Sequence, residues 1–136
     1  MTKKKYIDTY NTVYGVDIVV VNKNVTLKEL RETYCYHNGE ELNDSIKDAA
    51  AVTARCKNKK TNRYCSLIVQ NHDSLFKDAD KRTDVINTAA HEALHSALDI
   101  LTYAGEESIN PNNPNETLAY FVGWITEKIY KTWTKK

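Results

Sequence analysis

Thr88–Ile100, "TAAHEALHSALDI", decides how the C-terminal half of this chain is read. Alanine and leucine dominate it, and these are strong helix formers. His91 and His95 stand four residues apart, with Glu92 directly after the first. On a helix, positions i and i+4 share one face, so both imidazoles can turn towards one point. Glu92 lies about a hundred degrees further round the axis. It would stay off a shared ion yet remain close to a water bound there. The pattern is therefore the H-E-x-x-H arrangement, with two zinc ligands and a general base. The competing reading is a solvated helix face, with Glu92 paired to a lysine. The wealth of alanine and leucine around the helix predicts burial on several sides. Burying His, Glu and His together is costly unless a metal engages the imidazoles.

Outward from this stretch, helical periodicity runs from about Asp80 to Ala104. Ile86, Ala90, Ala93, Ala97, Leu101 and Ala104 repeat at three and four. Gly105 suits a left-handed helix end. After "EESINPNNPN" a last helix is expected from about Pro114 to Trp133, burying Leu118, Phe121, Val122, Ile125 and Ile129. Upstream, 13–23 reads as a strand, and 26–36 as a short amphipathic helix capped by Thr26. Segments 49–56 and 63–70 read as a hairpin with "KNKKTN" at its tip. The order gives an α+β domain, a small three-stranded sheet packed on a short helix and two long C-terminal helices. Residues 1–136 make one domain: 1–78 is the strand, helix and hairpin part, and 79–136 the metal-binding helical part.

A catalytic zinc takes three protein ligands and an open position. Asp99 is one turn beyond His95, too far along the axis to reach the ion. It is read either as an acceptor for a histidine N–H or as an exposed carboxylate. Glu106 and Glu107 fall in a loop leading away. Glu116 is the preferred third ligand, because its helix must fold back on the first. The same residue also fits a capping box, with Asn113 as cap and Pro114 first in the helix. Tyr120, one turn on, either stabilises an oxyanion or packs in the core.

The chain has 136 residues and a formal net charge of +1. Its basic residues are not gathered on one segment. Lys3–Lys5, Lys57–Lys60 and Lys135–Lys136 read as separate solvated tips, which argues against a nucleic-acid partner. No apolar run approaches a membrane span, and no apolar stretch follows the basic start, so a cytoplasmic protein is expected. Cys35, Cys56 and Cys65 are odd in number and suit free thiols. A zinc cluster of Cys35, His37, Cys56 and Cys65 lacks the short C-x-x-C spacing. Cys56 and Cys65 are better read as small apolar residues facing each other across the hairpin.

"HEALH" followed by a helix beginning "NETLAY" resembles the gluzincin branch of zinc metallopeptidases. The resemblance covers about Asp80–Tyr130 and implies a minimal zincin-like fold. It also implies zinc on His91, His95 and Glu116, and hydrolysis of peptide or amide bonds with Glu92 as base. It further implies a peptide substrate added to the edge of the strand before the active helix, Ser66–Asn71. The sequence departs from the metzincins, since "SALD" after His95 holds neither their glycine nor their third histidine. No extra histidine is evident for an oxyanion unless His72 serves from the end of its strand. The chain is also similar to small H-E-x-x-H proteins encoded by tailed bacteriophages. That likeness implies a rival role, a virion or assembly protein with phage partners and a structural or vestigial zinc.

Overall fold

A computed structural model describes residues 3–72, 81–105 and 115–136. Five strands form one mixed sheet: β1 (Ile7–Tyr10), β2 (Asp17–Val21), β3 (Tyr34–Tyr36), β4 (Ala51–Asn58) and β5 (Tyr64–Gln70). Their order is β1-β2-β5-β4-β3. β2 and β5 run parallel, and every other pairing is antiparallel. Two long helices, α2 (Lys81–Tyr103) and α3 (Glu116–Trp133), follow the sheet, and the short α1 (Leu27–Thr33) precedes β3. The α+β expectation therefore holds, with five strands in place of three. Among the described residues, no helix is long and apolar enough to cross a membrane.

Both faces of the sheet are covered. Val16, Ile18, Val20 and Ile68 pack against Ala89, Ala93, Ala97 and Ile100 of α2 and Ile125 and Ile129 of α3. On the other face Val19, Val21, Leu67 and Val69 meet Leu30 of α1 and Leu42 and Ile46 beyond it. This explains why "DIVVV" is buried throughout: an inner strand covered on both sides loses the alternation of a half-exposed one. Cys56 and Cys65 are paired across the β4–β5 hairpin and buried, as expected.

The two additional strands are short. β1, "IDTY", alternates exposed and half-buried residues at the sheet's rim. β3, "YCY", takes the place of the expected last turn of α1. The capping box at Thr26 and Glu29 starts that helix as expected. At Tyr34 the backbone turns extended, because its aromatic run finds a partner in Cys56–Asn58. β2 begins at Asp17, later than expected. Thr12 spans the turn before it, donating to the Val16 carbonyl at 2.7 Å and accepting from the Tyr14 amide at 3.2 Å. Gly15 sits in that turn with φ of 77°, a conformation open to glycine.

α2 buries Ala93, Ala97 and Leu101 as its periodicity implies, but its inward face is rotated from the rest of the expected stripe. Ile86 is 42 % exposed, and Ala90 and Ala104 are exposed as well. Thr88, Glu92 and Ser96 are buried instead. Alanine carries little information about direction, and these polar residues face the sheet because partners await them there. Ser96, for example, donates to the Ser66 hydroxyl at 2.7 Å.

Pairings along the sheet fix the helix directions. Glu92 meets Thr53, Ser96 meets Ser66, and Tyr103 lies 5.9 Å from Tyr64, ring to ring. α2 therefore runs against β5. Phe121 packs on Tyr14, Trp124 on Tyr10, and the Trp133 indole N–H donates to the Val21 carbonyl at 3.0 Å. α3 therefore runs with β2, antiparallel to α2. α3 covers β1 and β2, and α2 covers β4 and β5.

Candidate metal centre

His91 and His95 do converge. Their Nε2 atoms lie 3.2 Å apart, with ring centroids 4.9 Å apart and planes at 70°. Two zinc–nitrogen bonds of about 2.0–2.1 Å at a tetrahedral angle place their nitrogens about 3.3 Å apart. The spacing fits that chord, and it equally fits a hydrogen bond between neutral imidazoles. The histidines are not buried, contrary to the expectation of a helix enclosed on several sides. The His91 side chain is 66 % exposed, whereas that of Glu92 is 7 % exposed.

Glu92 joins the histidine pair to the sheet. The Thr53 hydroxyl on β4 donates to its Oε2 at 2.6 Å. Oε1 lies 4.0 Å from His91 Nε2. One carboxylate oxygen is thus fixed, and the other faces the histidines without joining them. Thr53 has no signature in the sequence. Only the alternation of β4, which points Ala51, Thr53 and Arg55 at α2, could have suggested it, once the strand's neighbours were known.

The other expected participants stand elsewhere. Glu116 opens α3, which puts it at or beyond the C-terminal end of α2, at least about 12 Å along the axis from His95. α3 packs on the side of Ala93, Ala97 and Ile100, while the histidines face solvent next to β4. Glu116 is also first in its helix, not third. Asn115 is the cap, in a left-handed conformation with no side-chain cap bond. Asn113 and Pro114 themselves lie outside the described residues, as do Glu106 and Glu107. Tyr120 is 77 % exposed and borders a groove of about 440 Å³ with Val13, Tyr14, Phe121 and Trp124. That groove lies over the β1–β2 turn and not at the histidines. Asp99 accepts from Arg55 at 2.9 Å. His72 is exposed past the end of β5, its amide donating to the Ala50 carbonyl at 3.1 Å.

Among the described residues, no three His, Cys, Asp or Glu side chains gather in a set able to hold a metal. The three buried cysteines fit this. Burial above all, with Asp17 nearby, pushes the Cys65 thiol up to about 12, and burial raises Cys56 as well.

The substrate edge also needs correcting. β5 is flanked by β2 and β4, so Ser66–Gln70 has no free backbone for a peptide. β3 pairs only with Cys56–Asn58 of β4, and the His37 amide donates to the Arg55 carbonyl at 3.1 Å. In that register the backbone groups of Ala51 and Thr53 point to the same outer side. No described strand covers them there. Among the described strands, the stretch beside Glu92 with no strand partner on its outer side therefore belongs to β4. Compared with known proteins, the chain matches no family model, no curated protein and no solved structure.

Proposed function

We propose that this chain is a zinc-dependent hydrolase of peptide or amide bonds, with a minimal zincin-like architecture. One observation carries the reading: His91 and His95 direct Nε2 atoms to a common point at zinc-ligand spacing, with a sheet-anchored carboxylate beside them. His91 and His95 are the ligands assigned. Bound there, zinc would supply a Lewis acid and lower the pKa of a water towards about 7. The chain's own part is to hold and move the proton. Thr53 fixes one oxygen of Glu92, which leaves the other free to accept the proton of the attacking water and return it to the leaving amine. An extended peptide would add to β4 through the outward backbone groups of Ala51 and Thr53, which would bring its carbonyls towards Glu92. Glu116 and Tyr120 have no task in this reading.

A second reading is favoured by the lack of a third ligand among the described residues. In it, the protein is a structural or assembly component, of a bacteriophage particle for example, and zinc only staples the helix. The test is a zinc titration followed by thermal unfolding, paired with cleavage of a peptide library. Zinc should raise the melting temperature of the parent and of Glu92→Gln, but not of His91→Ala. Cleavage by the parent and not by Glu92→Gln supports the hydrolase. Saturation with zinc and no cleavage supports the staple. No zinc binding at all sinks both.

A further inference from the structure

Lysines from both ends of the chain meet in one place. Lys3, Lys4, Lys23, Lys135 and Lys136 line a single pocket of about 360 Å³, together with Tyr6 and two asparagines, and its lining holds no acidic residue. The asparagines build this site. Asn22 Nδ2 and Asn24 Nδ2 donate to the Lys4 carbonyl at 3.0 and 2.7 Å. The Tyr6 amide donates to Asn22 Oδ1 at 3.1 Å, and the Asn22 amide to the Tyr6 carbonyl at 3.1 Å. The backbone carrying Lys3 and Lys4 is thereby fastened to the end of β2. From the other side, Thr132 donates to Asp8 at 2.8 Å, and the Trp133 indole is held by Val21. These bonds fix the end of α3, and so the start of the Lys135–Lys136 tail. Lys135 bonds Asp8 at 2.6 Å and lies 5.2 Å from the centre of the Tyr6 ring.

Lysines past a helix C-terminus are ordinarily explained by the helix dipole. That accounts for Lys135 and Lys136. It does not account for Lys3, Lys4 and Lys23, which belong to other elements. Lys135 is paired with Asp8, but Lys3, Lys4 and Lys136 are exposed beside it, on a chain that as a whole carries only +1. A positive concavity on a nearly neutral molecule is the electrostatic footprint of an anion site.

We infer that this pocket binds the phosphate backbone of a single-stranded nucleic acid, independently of the histidine site. Lysine ammonium groups act as point charges for phosphate oxygens. Tyr6 in the lining offers a ring on which a base can stack. An anionic lipid surface also draws clustered lysines, and it is the competing partner that the experiment separates. Among the described residues, Ile7 is the one exposed large apolar side chain on the same segment, so little is offered for insertion between lipids.

The experiment is fluorescence anisotropy of a labelled thymidine oligonucleotide against the full chain, at several salt concentrations. About three phosphate contacts, from Lys3, Lys4 and Lys136, predict a slope of log K against log salt of about −2. Lys3→Ala/Lys4→Ala/Lys136→Ala should flatten the slope by about 2 and weaken binding at least about tenfold at low salt. The matched triple Lys57→Ala/Lys59→Ala/Lys60→Ala, at the hairpin, changes the net charge equally and should leave binding intact. Both triples should melt with the parent, because these lysines are exposed or half-buried. No binding at low salt, a flat salt response, or equal loss in both triples would overturn the inference. So would binding to phosphatidylserine vesicles, sensitive to the first triple, without binding to the oligonucleotide.

Discussion

The histidine face of α2 and the lysine pocket are built in opposite ways. His91, Glu92 and His95 are neighbours in the chain, and helical geometry alone brings their side chains together. The lysines come from positions 3, 4, 23, 135 and 136, and only the sheet and α3 bring them together. The first site is local and exposed, yet it depends on one distant residue, Thr53, to orient its buried carboxylate. The second is wholly non-local, yet its charges are ordinary lysines held in place by Asn22 and Asn24. A local constellation is thus written in the sequence but completed by the fold. A distant one is invisible until the fold exists.

The largest effect should come from Glu92→Gln. It keeps the shape and the acceptor for Thr53 but removes the base, so any peptide cleavage should fall about a hundred- to ten-thousand-fold. Its anisotropy curve with the oligonucleotide should not move. Equal cleavage by parent and variant would mean that the chemistry lies elsewhere.

Thr53→Val comes next and asks whether the distant residue matters. It removes a hydrogen bond to a buried carboxylate, which should cost about 1–3 kcal/mol in urea denaturation. A loss below about 0.5 kcal/mol would show that water serves Glu92 as well as Thr53 does.

His91→Ala should barely disturb the metal-free fold, within about 0.5 kcal/mol, because its side chain is mostly exposed. The zinc-dependent rise in melting temperature should nevertheless vanish. A strongly destabilised metal-free variant would mean that the pair packs the fold even without metal.

The smallest effect belongs to the lysine side. Burial would raise the Asp8 carboxyl, but bonds from Lys135 and Thr132 outweigh it and hold the group below its ordinary 3.8. Stability from this lowered group is present at neutral pH and is lost as pH falls through the folded-state value. Lys135→Ala should therefore lose only a little stability at neutral pH, since solvent screens the pair. The difference from the parent should shrink at acid pH, read from denaturation midpoints. A difference that grew towards acid would mean that the Asp8 carboxyl is raised by folding and not lowered.

Much of the fold was legible in residue order. α2 and α3 begin and end within about three residues of their expected limits, the hairpin forms, and Cys56 faces Cys65 across it. β1 and β3 were not legible, because strands of four and three residues at a sheet's rim leave too short a pattern. The inward face of α2 was hidden for a related reason. Alanines at 89, 90, 93 and 97 point in several directions, and only the polar partners on β4 and β5 select among them. β5 has no free edge because a parallel β2 lies beside it, a pairing set by residues some fifty positions apart.

What the sequence determined by itself is the meeting of His91 and His95, because a helix of 3.6 residues per turn admits no other outcome at i and i+4. What only the tertiary structure decided is the company that pair keeps. α3 settled on the opposite side of α2, which took Glu116 and Tyr120 away, while the end of the same helix drew Lys135 and Lys136 to Lys3 and Lys4. The direction in which a helix face turns depends on which other surfaces need covering, and that is a property of the whole chain.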